Sequence, residues 1–278
     1  MRFTKMHGAG NDYVYVNCFE ESLPEPPHVL APKIADRRFG VGGDGLILIE
    51  PSSIADARMR MFNADGSEAE MCGNGIRCVA KYVYDHDICR NESLKIETGN
   101  GVLSLQLTIE QGRAKLITVD MGVAKRAPGQ IPTTFSNEPL VDFPVEFSGI
   151  PLQLTTVSMG NPHCVIFVPE ASDELVLGVG PLIENDPHFP QRTNVEFVEV
   201  ISRREVRQRT WERGSGETWA CGTGASAVCV AGYVTGRTDL EIVNHLRGGD
   251  LRLRWDTQSE HVFMTGGAEE VFTGVWPE

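Results

Sequence analysis

Leu103, Leu105 and Leu107 alternate with Ser104 and Gln106, and the chain then turns at Glu110-Gln111-Gly112-Arg113 before a second strand-like run from Ala114 to Met121. Leu251, Leu253 and Trp255 repeat the pattern after a Gly248-Gly249-Asp250 turn, and Gln208, Thr210 and Glu212 alternate with Arg207, Arg209 and Trp211. A period of two with tight turns between runs predicts hairpin-linked, antiparallel strands. Helical periodicity is rarer. Ile76, Val79, Ala80 and Val83 fall at i, i+3, i+4 and i+7, which predicts a helix starting just after Cys72. Ala225 to Val234 is apolar nearly all round apart from Ser226 and Gly232, so it predicts a helix buried in the middle of a domain. The fold class expected is α+β: mainly antiparallel sheet wrapped around a central helix.

Two punctuation marks qualify the pattern. Residues 126–151 hold Pro128, Pro132, Pro139, Pro144 and Pro151, which disfavours helix and central strand and reads as the crossing between halves, with some edge strand. Gly40-Val41-Gly42-Gly43-Asp44-Gly45 matches G-x-G-x-x-G, but the stretch before it (Lys33 to Phe39) reads as helix and the stretch after it (Leu46 to Ile49) as strand. A dinucleotide fingerprint needs the reverse order, so this match is set aside.

The pattern occurs twice. Asn11 and Asn161, Asp36 and Asp186, Phe39 and Phe189, and Asp44 and Asn194 are each offset by 150 residues (161 − 11). Cys72 and Cys221, Asn63 and Glu212, Gly66 and Ser215, and Gly99 and Gly248 are offset by 149 (221 − 72). An ordered series with one indel implies an internal duplication, hence two similar domains. Its period is far above that of stacked solenoid repeats.

A net charge of −13 argues against nucleic acid as a partner, because phosphate backbones need a basic face. No apolar run approaches the ~20 residues of a membrane span, and residues 1–7 resemble neither a signal peptide nor a transit peptide, so a cytoplasmic setting is expected. The seven cysteines include no C-x-x-C pair and do not read as a disulfide framework. Cys18, Cys78, Cys89, Cys164 and Cys229 read as small buried hydrophobes.

The remaining two stand in matching segments, Met71-Cys72-Gly73-Asn74-Gly75 and Ala220-Cys221-Gly222-Thr223-Gly224, each leading into a predicted helix. A helix N-terminus offers unsatisfied N–H groups and a partial positive charge, which is expected to bring a thiol from about 8.5 toward neutrality. Two neighbouring thiols cannot both ionise cheaply, so one thiolate and one thiol would share a proton. That is the state a two-base epimerase needs. Backbone N–H groups at both helix starts would receive a substrate carboxylate as the α-proton leaves. No pyridoxal is required, no lysine motif argues for one, and the cysteines lack metal-ligand spacing, so neither cofactor nor metal is expected. His163, on the second copy of the Asn11 turn, is placed to tune a thiol, and Glu212-Arg213 is suited to bind an ammonium and a carboxylate.

Gly10-Asn11-Asp12, Phe62 to Glu68, Met71 to Gly75, Gly160-Asn161-Pro162-His163, Glu212-Arg213-Gly214 and Ala220 to Gly224 together resemble the diaminopimelate epimerases over essentially the whole chain. The resemblance implies cofactor-independent conversion of LL-2,6-diaminopimelate to the meso form, for lysine and cell-wall synthesis, by a homodimer. It implies two pseudo-symmetric domains, residues 1–120 joined by 263–278 and carrying Cys72, and residues 121–262 carrying Cys221, with the active site in a cleft between them. By matching position Cys72 and Cys221 are the acid/base pair, with Cys221 accepting and Cys72 donating the proton in the LL-to-meso direction. His163 and Glu212 modulate the thiols. Asn11, Asn63, Gly73, Asn74, Asn161, Asn194, Glu212, Arg213, Gly222 and Thr223 line the pocket. Asp44 belongs to the same substrate-binding set, although many members of the family carry Gln there.

Two rivals remain at this point. Proline racemases and hydroxyproline epimerases also pair cysteines on a duplicated fold, but resemble Met-Cys-Gly-His where this chain has Asn74, and need no distal amino-acid clamp. A non-catalytic thiol redox or binding protein would join Cys72 to Cys221 by oxidation, which requires Cα atoms within about 7 Å.

Overall fold

The alternating runs fold as strands in a computed structural model that describes residues 1–135 and 139–277. The chain divides into unit 1, Met1–Asp120 with Thr265–Glu278, and unit 2, Met121–Met264. In unit 1, β1 (Arg2–Gly8) and β2 (Asn11–Asn17) form an antiparallel hairpin, and after α1 (Pro27–Ala35) β3 (Gly45–Glu50) runs parallel to β2. β4 (Ala57–Asn63) is antiparallel to β3 and carries the short β5 (Glu68–Ala69). α2 (Gly73–Asp85) then crosses to β6 (Ser93–Thr98), parallel to β4, followed by the antiparallel β7 (Gly101–Glu110) and β8 (Arg113–Val123).

Unit 2 repeats this order. β9 (Phe143–Phe147) pairs only with β10 (Ile150–Ser158) among the described residues, and β10 is antiparallel to β11 (Pro162–Phe167). A helical stretch ending in α3 (Gly180–Glu184) leads to β12 (Asn194–Ser202), parallel to β11. β13 (Glu205–Glu212) is antiparallel to β12 and carries β14 (Gly216–Thr218). α4 (Gly222–Val234) crosses to β15 (Glu241–Leu246), parallel to β13 and antiparallel to β16 (Gly249–Trp255). β17 (His261–Gly266) and β18 (Glu269–Val275) complete the chain, and β18 returns to unit 1 as the antiparallel partner of β1.

The sheet is mainly antiparallel, as expected, and one other expectation is corrected. Parallel pairs (β2–β3, β4–β6, β11–β12, β13–β15) sit among the antiparallel ones. Parallel neighbours are joined by long crossovers rather than turns, so no local signal announces them. The proline-rich segment does not cross between the units, because all its described residues belong to unit 2 and it supplies the strand β9; its residues 136–138 lie outside the described residues.

The cores explain where the thiols end up. In unit 1, Val14, Val16, Leu46, Leu48 and Phe62 pack against Leu30, Ala31 and Ile34 of α1. The other face of the same strands closes on α2, where Ile76, Cys78, Val79, Ala80 and Val83 are fully buried, and where a Cβ on Gly75 would stand 2.8 Å from Ile47 Cδ1. In unit 2, Leu154, Cys164, Ile166, Val195 and Phe197 form the first face, and α4 fills the second with Ala225, Ala227, Val228, Val230 and Ala231. Each thiol therefore stands where a central helix begins.

Of the five structural cysteines, Cys78, Cys164 and Cys229 are buried, whereas Cys18 and Cys89 are half-buried. Burial pushes the Cys78 and Cys229 thiols up to about 12 and Cys164 well above its ordinary range. In the unfolded chain these thiols ionise near about 8.5. Raised folded values mean that the stability is fully present below that pH and falls above it, by about 1.4 kcal/mol per pH unit per thiol until the folded value is reached. Urea midpoints taken from pH 7.5 to 10.5 are therefore expected to drop steeply above pH ~8.5. A flat profile contradicts this.

Candidate active site

The two cysteines are the N-cap residues of α2 and α4. Cys72 has extended backbone (φ −132°, ψ 118°), and its Sγ accepts from the Gly75 N–H at 3.3 Å. Cys221 does the same (φ −122°, ψ 109°), its Sγ accepting from Gly224 N–H at 3.4 Å. Sulfur takes the place that a serine or aspartate oxygen usually fills at a helix start. The turn is Cys-Gly-x-Gly in both units because the third helical residue lies against the sheet. A Cβ on Gly224 would meet the Glu196 carboxylate at 2.5 Å.

In unit 1, Cys72 Sγ donates to Asn11 Oδ1 at 3.2 Å. Asn11 sits at the start of β2, and its amide is turned by Asp44, whose Oδ2 accepts from Asn11 Nδ2 at 2.6 Å and from Asp12 N–H at 3.0 Å. Arg37 bridges the Asp44 carboxylate (2.9 Å) and Asp12 (2.6 Å), and the nearly buried Lys5 also pairs with Asp12 at 2.6 Å. Asp12 is held below its usual carboxylate range, burial being outweighed by Arg37 and Lys5. Both oxygens of Asp44 are thus engaged by its own chain. Asn63, at the end of β4, donates to Ser67 Oγ at 3.0 Å. The buried Asn74 accepts from Arg77 Nη1 at 3.0 Å, so its side chain faces into the protein.

Unit 2 gathers its own set around Cys221. Thr223 Oγ1 lies 3.5 Å from Cys221 Sγ and accepts from Asn161 Nδ2 at 3.3 Å. Asn161 Oδ1 meets His163 Nε2 at 3.0 Å, and His163 Nδ1 meets Glu196 Oε1 at 2.8 Å. Glu212 accepts from Thr218 Oγ1 at 2.6 Å, and burial pushes its carboxyl up. Asn194 holds the start of β12, donating to Pro162 O at 2.9 Å and accepting from Arg213 N–H at 2.9 Å. The Arg213 guanidinium does not join the group; it donates to Gln191 O at the surface.

The expectation that a helix start lowers the thiol fails for Cys221. Burial, then the charges of Glu212 and Glu196, push it well above the ordinary thiol range, and the Thr223 hydroxyl and Gly224 N–H only partly offset this. Three residues escaped sequence reading: Arg37, Arg77 and Glu196. Glu196 alone leaves a trace, as an acid inside the apolar run Val195 to Val198.

The family model for diaminopimelate epimerase matches residues 3–127 and 155–271. The chain belongs to the diaminopimelate epimerase family. Curated diaminopimelate epimerases from Agathobacter rectalis and Moorella thermoacetica are 51% and 50% identical to it, covering 99% and 100% of this chain and 98% and 99% of their own lengths. The fold is also that of a hydroxyproline epimerase from Agrobacterium vitis (15% identity, TM-score 0.70, covering 99% of this chain and 90% of that one). A phenazine biosynthesis protein of the PhzF family from Bacillus anthracis shares it too (18% identity, TM-score 0.68, 99% and 98% covered). As a diaminopimelate epimerase homologue the chain is an isomerase of amino-acid biosynthesis. No described helix is long and apolar enough to cross a membrane.

Proposed function

We propose that the chain interconverts LL- and meso-2,6-diaminopimelate without a cofactor, Cys72 and Cys221 working from opposite faces of one α-carbon. The observation that carries the proposal is the repeated N-cap geometry: each unit presents one sulfur at the start of its central helix, held by the third amide of the first turn. In the LL-to-meso direction the Cys221 thiolate removes the α-proton and the Cys72 thiol delivers one to the other face. Reversing the direction exchanges the roles. As the proton leaves, charge builds on the substrate carboxylate, and the first-turn amides at Gly73, Asn74, Gly222 and Thr223 stabilise it, because helix starts carry unsatisfied N–H groups.

The Thr223 hydroxyl and the Gly224 N–H at Cys221 Sγ favour the thiolate that removes the proton. Glu212, whose carboxyl burial pushes up, modulates that thiol. Asn11, Asn63, Asn161, Asn194, Glu212 and Arg213 line the substrate, several of them reading the distal amino-acid end. His163 acts through Asn161, and Asp44 through Asn11. The same reading includes residues 1–120 with the returning C-terminal segment and 121–262 as the working halves, a cytoplasmic setting and a homodimer, with the exposed Val271 and Val275 of β18 open to a second copy.

Proton NMR in D2O tests the substrate. Incubation with LL-diaminopimelate is expected to deplete the α-proton signal and yield the meso product, while L-proline keeps its α-proton. Exchange of proline alone keeps the two-thiol chemistry and overturns the substrate. No exchange of either, with both thiols reduced, overturns the enzyme reading.

A further inference from the structure

Glu196 has no place in the reaction described above, yet it lies directly beneath the helix turn that carries Cys221. Its side chain is fully buried on β12, with Oε1 on His163 Nδ1 and Oε2 without a hydrogen-bond partner among the described residues. The groups facing it are His163 and Cys164 on β11, Glu212 and Gln208 on β13, and Gly224 and Cys221 on α4. A carboxyl group buried in this way needs its hydrogen-bond partner.

The hydrogen bonds leading away from it run in one direction. Asn161 Nδ2 faces the Thr223 hydroxyl, so Oδ1 of the same amide is the atom turned to His163. An amide oxygen only accepts, so His163 Nε2 carries a proton. The other ring nitrogen faces a carboxylate oxygen, and a proton lies between the two atoms whichever of them holds it. Thr223 Oγ1 accepts from Asn161, which leaves its own hydrogen free to point at Cys221 Sγ, 3.5 Å away. The three links from His163 to Cys221 therefore donate toward the sulfur, and the last donor favours the thiolate.

We propose that Glu196 is a positioning residue for Cys221: hydrogen-bonded to His163 Nδ1, it holds the ring so that Nε2–H meets Asn161 Oδ1, and through Asn161 it turns the Thr223 hydroxyl to donate to the sulfur. Unit 1 runs the other way. There the carboxylate of Asp44 takes the Asn11 NH2 group, leaving Asn11 Oδ1 to accept from Cys72. The two units share a backbone plan but carry acidic anchors that polarise their hydrogen bonds in opposite senses, one toward a sulfur and one away from it.

The test combines nitrogen NMR with two substitutions, and only its kinetic arm rests on the epimerase reading. In the 15N-histidine spectrum of the unsubstituted protein, His163 Nε2 is expected to show the shift of a protonated nitrogen. Glu196→Gln can donate an amide hydrogen to Nδ1, so it should keep that shift and retain kcat within about threefold. Glu196→Ala leaves Nδ1 unpartnered and the ring free to turn, so the His163 nitrogen shifts should move from those of the unsubstituted protein. It should also slow alkylation of Cys221 by iodoacetamide, read by peptide mapping, and lower kcat for LL-diaminopimelate by at least about tenfold with KM little changed. An unprotonated Nε2 in the unsubstituted protein overturns the proposal even if Glu196→Ala does not fold. Unchanged alkylation and nitrogen shifts in a folded Glu196→Ala overturn it as well. Failure of turnover in the unsubstituted protein, with the spectra and alkylation as expected, sinks the substrate assignment and leaves the relay standing.

Discussion

Cys72→Ala and Cys221→Ala are each expected to lower LL-to-meso conversion by at least ~10³-fold, toward the upper end of what one acid or base contributes. Inversion needs a base on one face and an acid on the other, so losing either thiol stops the whole cycle rather than half of it. The two variants should nonetheless differ in α-proton exchange. Cys72→Ala keeps the Cys221 base and should still wash the α-proton of the LL isomer into D2O without inverting it. Cys221→Ala should do so only from the meso isomer, at the D-centre. The alanines also remove an N-cap acceptor from α2 or α4, which costs about 1 kcal/mol and leaves the units folded. Circular dichroism beside the exchange assay separates the chemical loss from unfolding. Inversion by both single variants at the rate of the unsubstituted protein would remove the thiols from the mechanism.

Arg77→Ala is expected to destabilise unit 1 by about 3–5 kcal/mol, the range for a large cavity combined with orphaned polar groups. The guanidinium is fully buried, and burial pulls it below its ordinary value. It donates to Gly73 O at 3.2 Å, to Asn74 Oδ1 at 3.0 Å and to Gly267 O at 3.2 Å. One planar fork therefore ties the first turn of α2, next to Cys72, to Gly267 in the link between β17 and β18. Arg77→Lys cannot reproduce three divergent donations from one rigid group and should recover little of the loss. A urea midpoint for Arg77→Ala equal to that of the unsubstituted protein would refute this account.

The duplication was open to reading in the sequence because glycines, asparagines and cysteines at turns keep their spacing even where the strands between them diverge. Asn11 and Asn161, and Cys72 and Cys221, do mark equivalent corners of two units with the same order of strand pairings. The central helices were open to reading for a different reason: Ile76 to Val83 shows a helical stripe, and Ala225 to Val234 is apolar nearly all round. The proline-rich stretch misled because proline density marks edge strands as readily as linkers, and β9 is such an edge. The parallel pairings were invisible because their partners are brought together by α1, α2, α4 and the helical stretch before β12, not by a turn.

Around the thiols, residue types were legible and their charges were not. Cys221 shows why. A helix start lowers a thiol, but full burial beside Glu212 and Glu196 raises it more, and the sum depends on packing that no local pattern encodes. Arg77 and Glu196 likewise look like ordinary charges in the chain and become functional or structural only because the fold buries them.

The two-thiol mechanism is tested most directly by the first turnovers of LL-diaminopimelate in D2O. Two bases that exchange with solvent between turnovers put deuterium into the product and leave the remaining substrate protiated. Early samples are therefore expected to contain meso-diaminopimelate deuterated at the inverted centre, beside LL-diaminopimelate that still carries its α-proton. Deuterium appearing equally early in both isomers would mean that one base serves both faces, and would contradict the assignment of Cys72 and Cys221 as an acid/base pair.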